Sequence, residues 1–150
     1  MITVRKMSKS DIPILYEVAL RAFAPDYERF GVYPPMINLK KKRFLPPRIF
    51  GKTILESDTI IGGAFVVGFG KKGEIGTIFI DPIYQHKDYG KQAIQIIEKA
   101  YPKIQKWKLD TPAENHGLHR FYKSLGYVKS GESKDEKSGI AVFRYEKTVR

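Results

Sequence analysis

The segment 85–91 combines a glycine and two lysines where an anion could be bound. The residues before it, Glu74–Ile80, are mostly apolar, and those after it repeat apolar side chains at helical spacing. A strand, a loop and a helix in this order aim open backbone N–H groups and the positive helix end at the loop, as phosphate binding requires. Lys87 and Lys91 add full charges, and Gly90 allows close approach to the backbone. An ordinary strand-to-helix connection with solvated lysines would use the same residue types.

A second glycine-rich segment, Gly68–Gly73, matches the G-x-G-x-x-G pattern of dinucleotide-binding loops. That function requires a helix to begin at the last glycine. The residues that follow have the pattern of a strand instead. We therefore expect a glycine-rich β-hairpin at this point.

Polar side chains on a later amphipathic segment could also form a site. Residues 118–125 repeat apolar side chains at helical spacing, and Asn115 precedes them as a suitable N-cap. The Tyr122 ring fits a core position, and its hydroxyl could be a proton donor in a cleft. His116 and His119 lie one turn apart, but no metal-binding signature accompanies them, so we predict no metal site.

The composition is that of a globular chain with a strong positive charge. The 150 residues are 42% hydrophobic and 29% charged, which argues against disorder and fits one domain, residues 1–150. Lysine and arginine outnumber aspartate and glutamate by 27 to 16, so an anionic partner is expected. The absence of cysteine excludes disulfide scaffolds and thiol nucleophiles. No apolar run approaches the roughly 20 residues of a membrane-spanning helix and no targeting signal is evident, so we expect a cytoplasmic protein without a membrane partner.

The remaining patterns place these segments in an α+β fold. The predicted strands are 2–5, 52–56, 59–69, 74–80, 106–110, 127–131 and 140–146, and the predicted helices lie around 12–23, 93–101 and 118–125. The proline-rich region 24–52 is predicted to be irregular apart from a short helix at 36–44. Neighbouring strands form an antiparallel meander, while the β-α-β unit around 74–111 is parallel. We therefore expect a mixed, mostly antiparallel sheet with helices on both faces.

Two of these segments together resemble the GNAT family of N-acetyltransferases. Residues 85–90 (QHKDYG), after Asp81-Pro82, are similar to the family's pyrophosphate loop, Gln/Arg-x-x-Gly-x-Gly/Ala. Asn115 followed by residues 121–127 (FYKSLGY) is similar to the family's Asn-…-Phe-Tyr-x-x-Leu-Gly-Tyr segment. Each motif is weak alone, but both in this order, about 30 residues apart across a β-α-β unit, are specific. The resemblance covers most of the chain.

The resemblance implies acetyl-CoA as the donor substrate, an amine as the acceptor, and no metal. It implies a V-shaped opening between strands 74–80 and 106–110, with the first strand binding the acetyl carbonyl and pantetheine arm. The N–H groups of His86–Lys91 would hold the pyrophosphate, and Asn115 the pantetheine or adenine side. The implied donor-binding residues are Ile78, Phe79, Ile80, Gln85, His86, Lys87, Asp88, Tyr89, Gly90, Lys91 and Asn115.

The resemblance also implies catalytic roles. Tyr122 would protonate the departing CoA thiolate. Glu74, eleven residues before Gln85, occupies the position of the catalytic glutamate in some histone-type members. A solvated charge at a hairpin exit explains Glu74 equally, and Asp81 or a water chain are the other candidates for the base. The missing cysteine favours direct attack of the amine over a covalent acyl-enzyme.

Asp88 departs from the family pattern, because a glycine is expected at this first loop position. Aspartate tolerates a left-handed backbone better than most residues. Its carboxylate would lie beside the pyrophosphate, and Lys87 and Lys91 would have to offset that charge. We expect CoA binding to be retained through Gly90 and the later N–H groups.

A non-catalytic binding module of the same fold is the alternative function. The cluster Lys40–Arg43, with aromatic residues nearby, could grip nucleic acid or an acidic protein, although a solvated charge run is the commoner case and nucleic acid is the less expected partner.

In the family, the region equivalent to 24–52 covers the acceptor site. Its tyrosines and cations favour an acceptor with an acidic or aromatic part over a polyamine. The identity of the acceptor stays open, and a homodimer is one option for the assembly.

Overall fold

A computed structural model describes residues 1–34, 37–44 and 50–149. Within these ranges the strands are β1 Ile2–Lys6, β2 Ile37–Asn38, β3 Arg43–Phe44, β4 Phe50–Glu56, β5 Thr59–Phe69, β6 Lys72–Ile80, β7 Lys106–Pro112, β8 Val128–Lys134 and β9 Ala141–Thr148. The α-helices are α1 Ile12–Ala22, α2 Ala24–Phe30, α3 Tyr89–Ala100 and α4 His116–Ser124. Short 3-10 turns precede α1 at Lys9–Asp11 and α3 at Pro82–Tyr84.

Seven of these strands form one sheet in the order β1-β4-β5-β6-β7-β9-β8. All neighbours are antiparallel except β6 and β7, which are parallel and joined through α3. The expected meander and central β-α-β unit are therefore confirmed, as is the mixed, mostly antiparallel sheet. β9 enters between β7 and β8, so β8 is an edge strand.

Helices cover both faces of the sheet because side chains alternate along its strands. Phe79 of β6 packs with Leu15 of α1 and with Phe65. Its neighbour Ile80 lies on the opposite face, in a cluster that includes Ala93 of α3. We call these the α1 face and the α3 face. Each fully buried leucine, such as Leu15, contributes on the order of 1.5–3 kcal/mol through the area it removes from water.

A buried carboxylate fixes the start of α1 against the sheet. Asp11 accepts hydrogen bonds from the N–H of Ser8 at 2.9 Å and the hydroxyl of Thr53 at 2.8 Å. The Arg5 guanidinium also binds it through two nitrogens, at 2.6 and 3.0 Å. These donors, the guanidinium above all, hold the pKa of Asp11 well below its usual range. Ser8 and Asp11 form a capping box at the 3-10 turn Lys9–Asp11 that leads into α1.

The helix predicted at 36–44 is wrong over the described residues 37–44, which form the β2–β3 hairpin. Four consecutive cations with no acid to offset them disfavour a helix, since like charges at helical spacing repel. The Asn38 side chain instead accepts the N–H of Lys41 at 3.1 Å and so closes a turn. The helix α2 falls in the region that was predicted to be irregular, and Gly31 at φ +76° ends it.

The glycine-rich segment 68–73 forms the predicted hairpin between β5 and β6. Gly70 lies in the turn at φ +63°, and Phe69 pairs with Lys72 across it. The strand β6 follows at once, so no helix begins at Gly73. Across the three described ranges, no helix is long and apolar enough to span a membrane.

Candidate active site

A wedge-shaped opening separates β6 from β7. The two strands pair only where Lys72–Glu74 lie beside Lys106–Lys108, and no further pairing joins them in the described chain. β6 pairs with β5 on both sides of Gly76, and β7 pairs with β9 along its whole length. The register between β6 and β5 shifts at Gly76. Ile75 and Thr77 pair with two consecutive residues of β5, so Gly76 between them has no partner on that strand. A bulge of this kind bends a strand, and here the bend begins where the two strands separate.

Backbone groups of two β6 residues face this cleft. The N–H of Asp81 donates to the carbonyl of Ile61 on β5 at 2.7 Å. Because backbone groups alternate in direction along an antiparallel strand, those of Phe79 also face β5, and those of Ile78 and Ile80 face the cleft. The carbonyl of Ile80 accepts the Gln85 side-chain amide at 2.9 Å. The free edge of β6 therefore resembles an unpaired strand to which an extended ligand can add.

The opposite edge belongs to β7. The N–H of Ala113 donates to the carbonyl of Ala141 at 2.9 Å, so the backbone groups of Leu109 and Thr111 face β9 by the same alternation. Those of Asp110 face the cleft. The Thr111 hydroxyl, on the α3 face of this strand, is buried and has no hydrogen-bond partner within the described chain.

The loop predicted to hold a pyrophosphate lies at the wide end of the cleft. Two of its residues without glycine's freedom, His86 at φ +64° and Asp88 at φ +62°, adopt left-handed backbone. The first hydrogen bond of α3 joins the N–H of Gln92 to the carbonyl of Asp88. The amides of Tyr89, Gly90 and Lys91 are therefore the open donors of this helix end.

The side chains of the loop are exposed, and the helix behind it is firmly packed. Residues 85–88 are exposed and Lys91 is half-buried. Lys87 lies over the Tyr84 ring, 5.8 Å from its centre. A Cβ on Gly90 would come within 3.4 Å of the Phe121 ring, so α3 and α4 meet closely at this point. The left-handed φ of Asp88 explains why a glycine is expected at that position.

The start of α4 is built as the sequence predicts. The Asn115 side-chain oxygen accepts the N–H of Leu118 at 3.2 Å, which is an N-cap bond. Its side-chain NH2 group forms no hydrogen bond within the described chain and can donate to a ligand. Gly126 follows the helix at φ +94°, and this left-handed backbone ends it.

His119 of the histidine pair on α4 has a structural role. His119 is buried, its Nε2 lies 2.9 Å from the carbonyl of Ala113, and its Nδ1 lies 2.9 Å from the Tyr145 hydroxyl. A carbonyl can only accept, so Nε2 carries the proton and Nδ1 accepts from the tyrosine. Both ring nitrogens are therefore occupied. No group of three metal-ligating side chains occurs among the residues with described positions.

Tyr122 lies below the cleft on the α3 face. It belongs to the apolar cluster on this face that also contains Leu109 of β7, and Ile78 of β6 packs against the same cluster. Its ring meets those of Tyr127 and Tyr145 at 6.0 and 6.4 Å. Burial raises the pKa of Tyr122 to about 12, and no described residue forms a hydrogen bond with its hydroxyl. The Tyr122 hydroxyl is therefore neutral and can donate its proton to a ligand in the cleft.

Carboxylates lie on the α1 face at the narrow end of the cleft. Glu74 is half-buried and pairs with Lys108, so it shares a face with Asp110 two residues on. Asp110 accepts the Arg144 guanidinium at 3.0 Å. The pKa of Arg144 is raised by this bond first, with smaller contributions from Glu74 and Glu146. Asp110, Glu74 and Glu146 therefore all lie close enough to Arg144 to stabilise its positive charge.

Asp81, the other carboxylate candidate for the base, already forms bonds that stabilise the fold. Asp81 is buried, pairs with Arg21 of α1 at 2.8 Å and accepts the N–H of Ile83. Asp110, in contrast, is a cleft carboxylate that the sequence reasoning missed. The alternation that places Trp107 and Leu109 on the buried face also puts Asp110 on the opposite face, which is the signal that could have found it.

The comparisons with known proteins agree with this arrangement. Residues 13–127 match the family model "Acetyltransferase (GNAT) family". The chain belongs to the GNAT family. A search of curated proteins finds no significant match to this GNAT chain.

Solved structures show the same GNAT fold. The PaiA N-acetyltransferase of Thermoplasma acidophilum, in complex with coenzyme A, is 22% identical with a TM-score of 0.74, covering 99% of both chains. An acetyltransferase of Thermus thermophilus is 15% identical with a TM-score of 0.76, covering 99% of this chain and 97% of that one. A GNAT acetyltransferase of Elizabethkingia anophelis with acetyl-CoA bound is 16% identical with a TM-score of 0.69, covering 99% and 98%.

Proposed function

We propose that this protein transfers an acetyl group from acetyl-CoA to a primary amine by direct attack. The observation that carries the proposal is the divergence of β6 and β7 beyond Glu74, with the loop 85–88 at one end and Tyr122 in the apolar cluster on the α3 face of these strands. Solved GNAT structures with CoA or acetyl-CoA bound share this fold over nearly the whole chain.

The groups around the cleft fit a long thioester donor. Its extended arm adds to the free edge of β6, where the N–H and C=O of Ile78 are directed outward. The open amides of Tyr89, Gly90 and Lys91 suit the pyrophosphate, because they combine hydrogen-bond donors with the positive end of a twelve-residue helix. Lys87 and Lys91 supply further positive charge. The remaining donor amide of Asn115 is placed for the arm or the adenine side.

The acceptor amine must lose a proton before it can attack. Glu74, half-buried on the α1 face at the narrow end of the cleft, takes that proton directly or through water. Asp110 is the second carboxylate at this position, but its oxygens already accept the Arg144 guanidinium. As the C–N bond forms, the N–H of Ile78 donates to the developing oxyanion.

The C–S bond then breaks, and the electron pair leaves on the CoA sulfur. Tyr122 gives its hydroxyl proton to that thiolate and regains one from solvent. With a pKa of about 12 the hydroxyl is fully protonated at neutral pH, as a donor must be. The chain has no cysteine, so the acetyl group passes to the amine without a thiol-linked intermediate.

Donor binding and turnover are the measurements that test this function. Titration calorimetry should detect CoA binding below millimolar concentration. Release of CoA thiol from acetyl-CoA can be followed with a thiol-reactive dye, and the protein adds no background because it contains no cysteine. Absence of heat up to millimolar CoA would contradict the proposal and favour the non-catalytic binding module. Binding without amine-dependent thiol release would limit the function to CoA recognition.

A further inference from the structure

The β2–β3 hairpin presents a compact group of cations that the proposed chemistry leaves unused. Lys40, Lys41, Lys42 and Arg43 are consecutive and exposed. None of these four forms an ion pair within the described chain, whereas Arg5, Arg21 and Arg144 each bind a carboxylate. We call residues 40–43 the basic tip. Four adjacent unpaired charges are expected to create a local positive potential well above that of a mixed surface.

The basic tip is held firmly by the core. Phe44, directly after it, is only 7% exposed. Its ring packs against Phe65 at 5.1 Å, Phe79 at 6.0 Å and Tyr16 at 6.2 Å. The bond from the N–H of Lys41 to the Asn38 side chain fixes the turn. The core and the turn therefore hold the four cations in a defined position.

Phe44 anchors the basic tip on the α1 face of the sheet. Phe44 packs on the α1 face, where Phe79 points and where Glu74 also lies. α2 extends across the same side, since Arg29 donates to the carbonyl of Glu114 in the loop after β7 at 3.4 Å. Positive charge is thus combined with the carboxylates of Glu74 and Asp110 on one face. An amine with acidic groups beside it complements both regions, whereas a polyamine complements only the second.

A nucleic acid fits this surface less well than an acidic peptide. Nucleic-acid binding combines cations with aromatic rings on which bases can stack. Phe44 and Tyr16, the aromatic residues that anchor the basic tip, are buried. Tyr27 is 43% exposed, but Tyr33 covers one face of its ring, with ring centres 4.5 Å apart.

We infer that the basic tip docks an acidic segment of a peptide or protein acceptor and so delivers its amine to the cleft. The inference rests on the proposed function and adds the class of substrate to it: a peptide amine flanked by aspartate or glutamate. Docking of this kind acts on KM, because the tip is remote from the reacting atoms. The rate at saturation is set by the cleft.

The test uses two peptides of equal length, each with a free N-terminal amine and one lysine. One carries a run of aspartate and glutamate, and the other has asparagine and glutamine in those places. The variant is Lys40→Glu with Lys41→Glu. The matched control is Lys71→Glu with Lys103→Glu, which makes the same change in net charge on exposed residues near the narrow end of the β6–β7 pair. Thermal melting checks that both variants fold.

For the acidic peptide we expect the tip variant to raise KM about tenfold, with kcat changed by less than about twofold. The control variant and the neutral peptide should show little change, and added salt should weaken the preference for the acidic peptide. Equal KM values for the two peptides in the wild-type protein would overturn the inference.

Direct binding separates this inference from the proposed function. Fluorescence anisotropy with the labelled acidic peptide should show binding that the tip variant loses, even where no acetyl transfer is detected. Tighter binding of a single-stranded RNA of equal charge would overturn the inference in favour of nucleic acid. Peptide docking without any CoA binding would leave the tip's role intact and contradict the acetyltransferase function.

Discussion

At the scale of single residues, Tyr122 carries the sharpest prediction. Its hydroxyl has no hydrogen-bond partner in the described chain, so Tyr122→Phe removes no internal bond and the fold should be kept. We expect kcat at saturating acetyl-CoA to fall by about 10²-fold or more, the usual range for loss of a general acid. The Kd of CoA should change by less than about twofold.

Tyr127→Phe is the matched control for that change. Tyr127 is also buried, but its hydroxyl donates to Glu98 at 2.9 Å, and both the burial and this carboxylate raise its pKa. Its loss should lower the thermal midpoint and leave kcat nearly unchanged. Equal kcat values for Tyr122→Phe and the wild-type protein would remove Tyr122 from the mechanism.

Asp88 combines a left-handed backbone with a negative charge beside the proposed pyrophosphate site. Asp88→Asn removes the charge and keeps a residue that accepts this backbone. One repulsive charge near a diphosphate is worth on the order of 1 kcal/mol at the surface, so the Kd of CoA should fall about fivefold. Asp88→Gly should do the same and also relieve the backbone. Isothermal titration of the three proteins with CoA checks this, and a weaker affinity in Asp88→Asn would show that the carboxylate has a favourable role.

At the scale of elements, short-range signals predicted α4 well and the hairpin 37–44 poorly. Asn115 and Gly126 act on their own neighbours, as cap and stop, so their effect can be inferred from local sequence. The hairpin depends on Phe44 inserting between Tyr16 and Phe79, which are far away along the chain. The same limit explains why Asp110 was missed, since its place beside Glu74 arises only when β6 and β7 pair.

The junction of β6 and β7 can be tested through Gly73. A Cβ there would lie 2.8 Å from the buried Trp107 ring and 2.7 Å from Ile104, both closer than normal contacts allow. Gly73→Ala should therefore lower the free energy of unfolding by about 1–3 kcal/mol, as overpacking does. Gly68→Ala is the control, because its Cβ would meet only Ile104 at an ordinary 3.6 Å. Urea unfolding of both variants measures the difference, and equal stability would mean that Trp107 moves freely.

At the scale of the whole molecule, the +11 charge divides into parts with different roles. Arg5, Arg21 and Arg144 form ion pairs with carboxylates of the same chain. Lys87 and Lys91 lie beside the proposed pyrophosphate site, and the basic tip remains unpaired. If both proposals hold, the charge serves donor binding and acceptor docking in addition to the ion pairs Arg5–Asp11 and Arg21–Asp81 that fasten α1 to the sheet.

The excess of positive charge also makes the fold sensitive to acid, and Asp11 should carry much of that sensitivity. The pKa of Asp11 is lowered in the folded state from an unfolded value of about 3.9. Its stabilising effect is therefore complete above about pH 4–5 and is lost as the pH falls below that value. Asp11→Asn should lower the unfolding free energy at pH 7 by roughly 2–4 kcal/mol, since it weakens bonds to Arg5, Ser8 and Thr53 in a buried position. The gap between variant and wild type should narrow steadily toward pH 2.

Asp135→Asn is the control, because this exposed carboxylate also has a lowered pKa but binds only within its own turn. Urea unfolding at a series of pH values measures both, and a gap for Asp11→Asn that stays constant with pH would assign its effect to packing and not to charge.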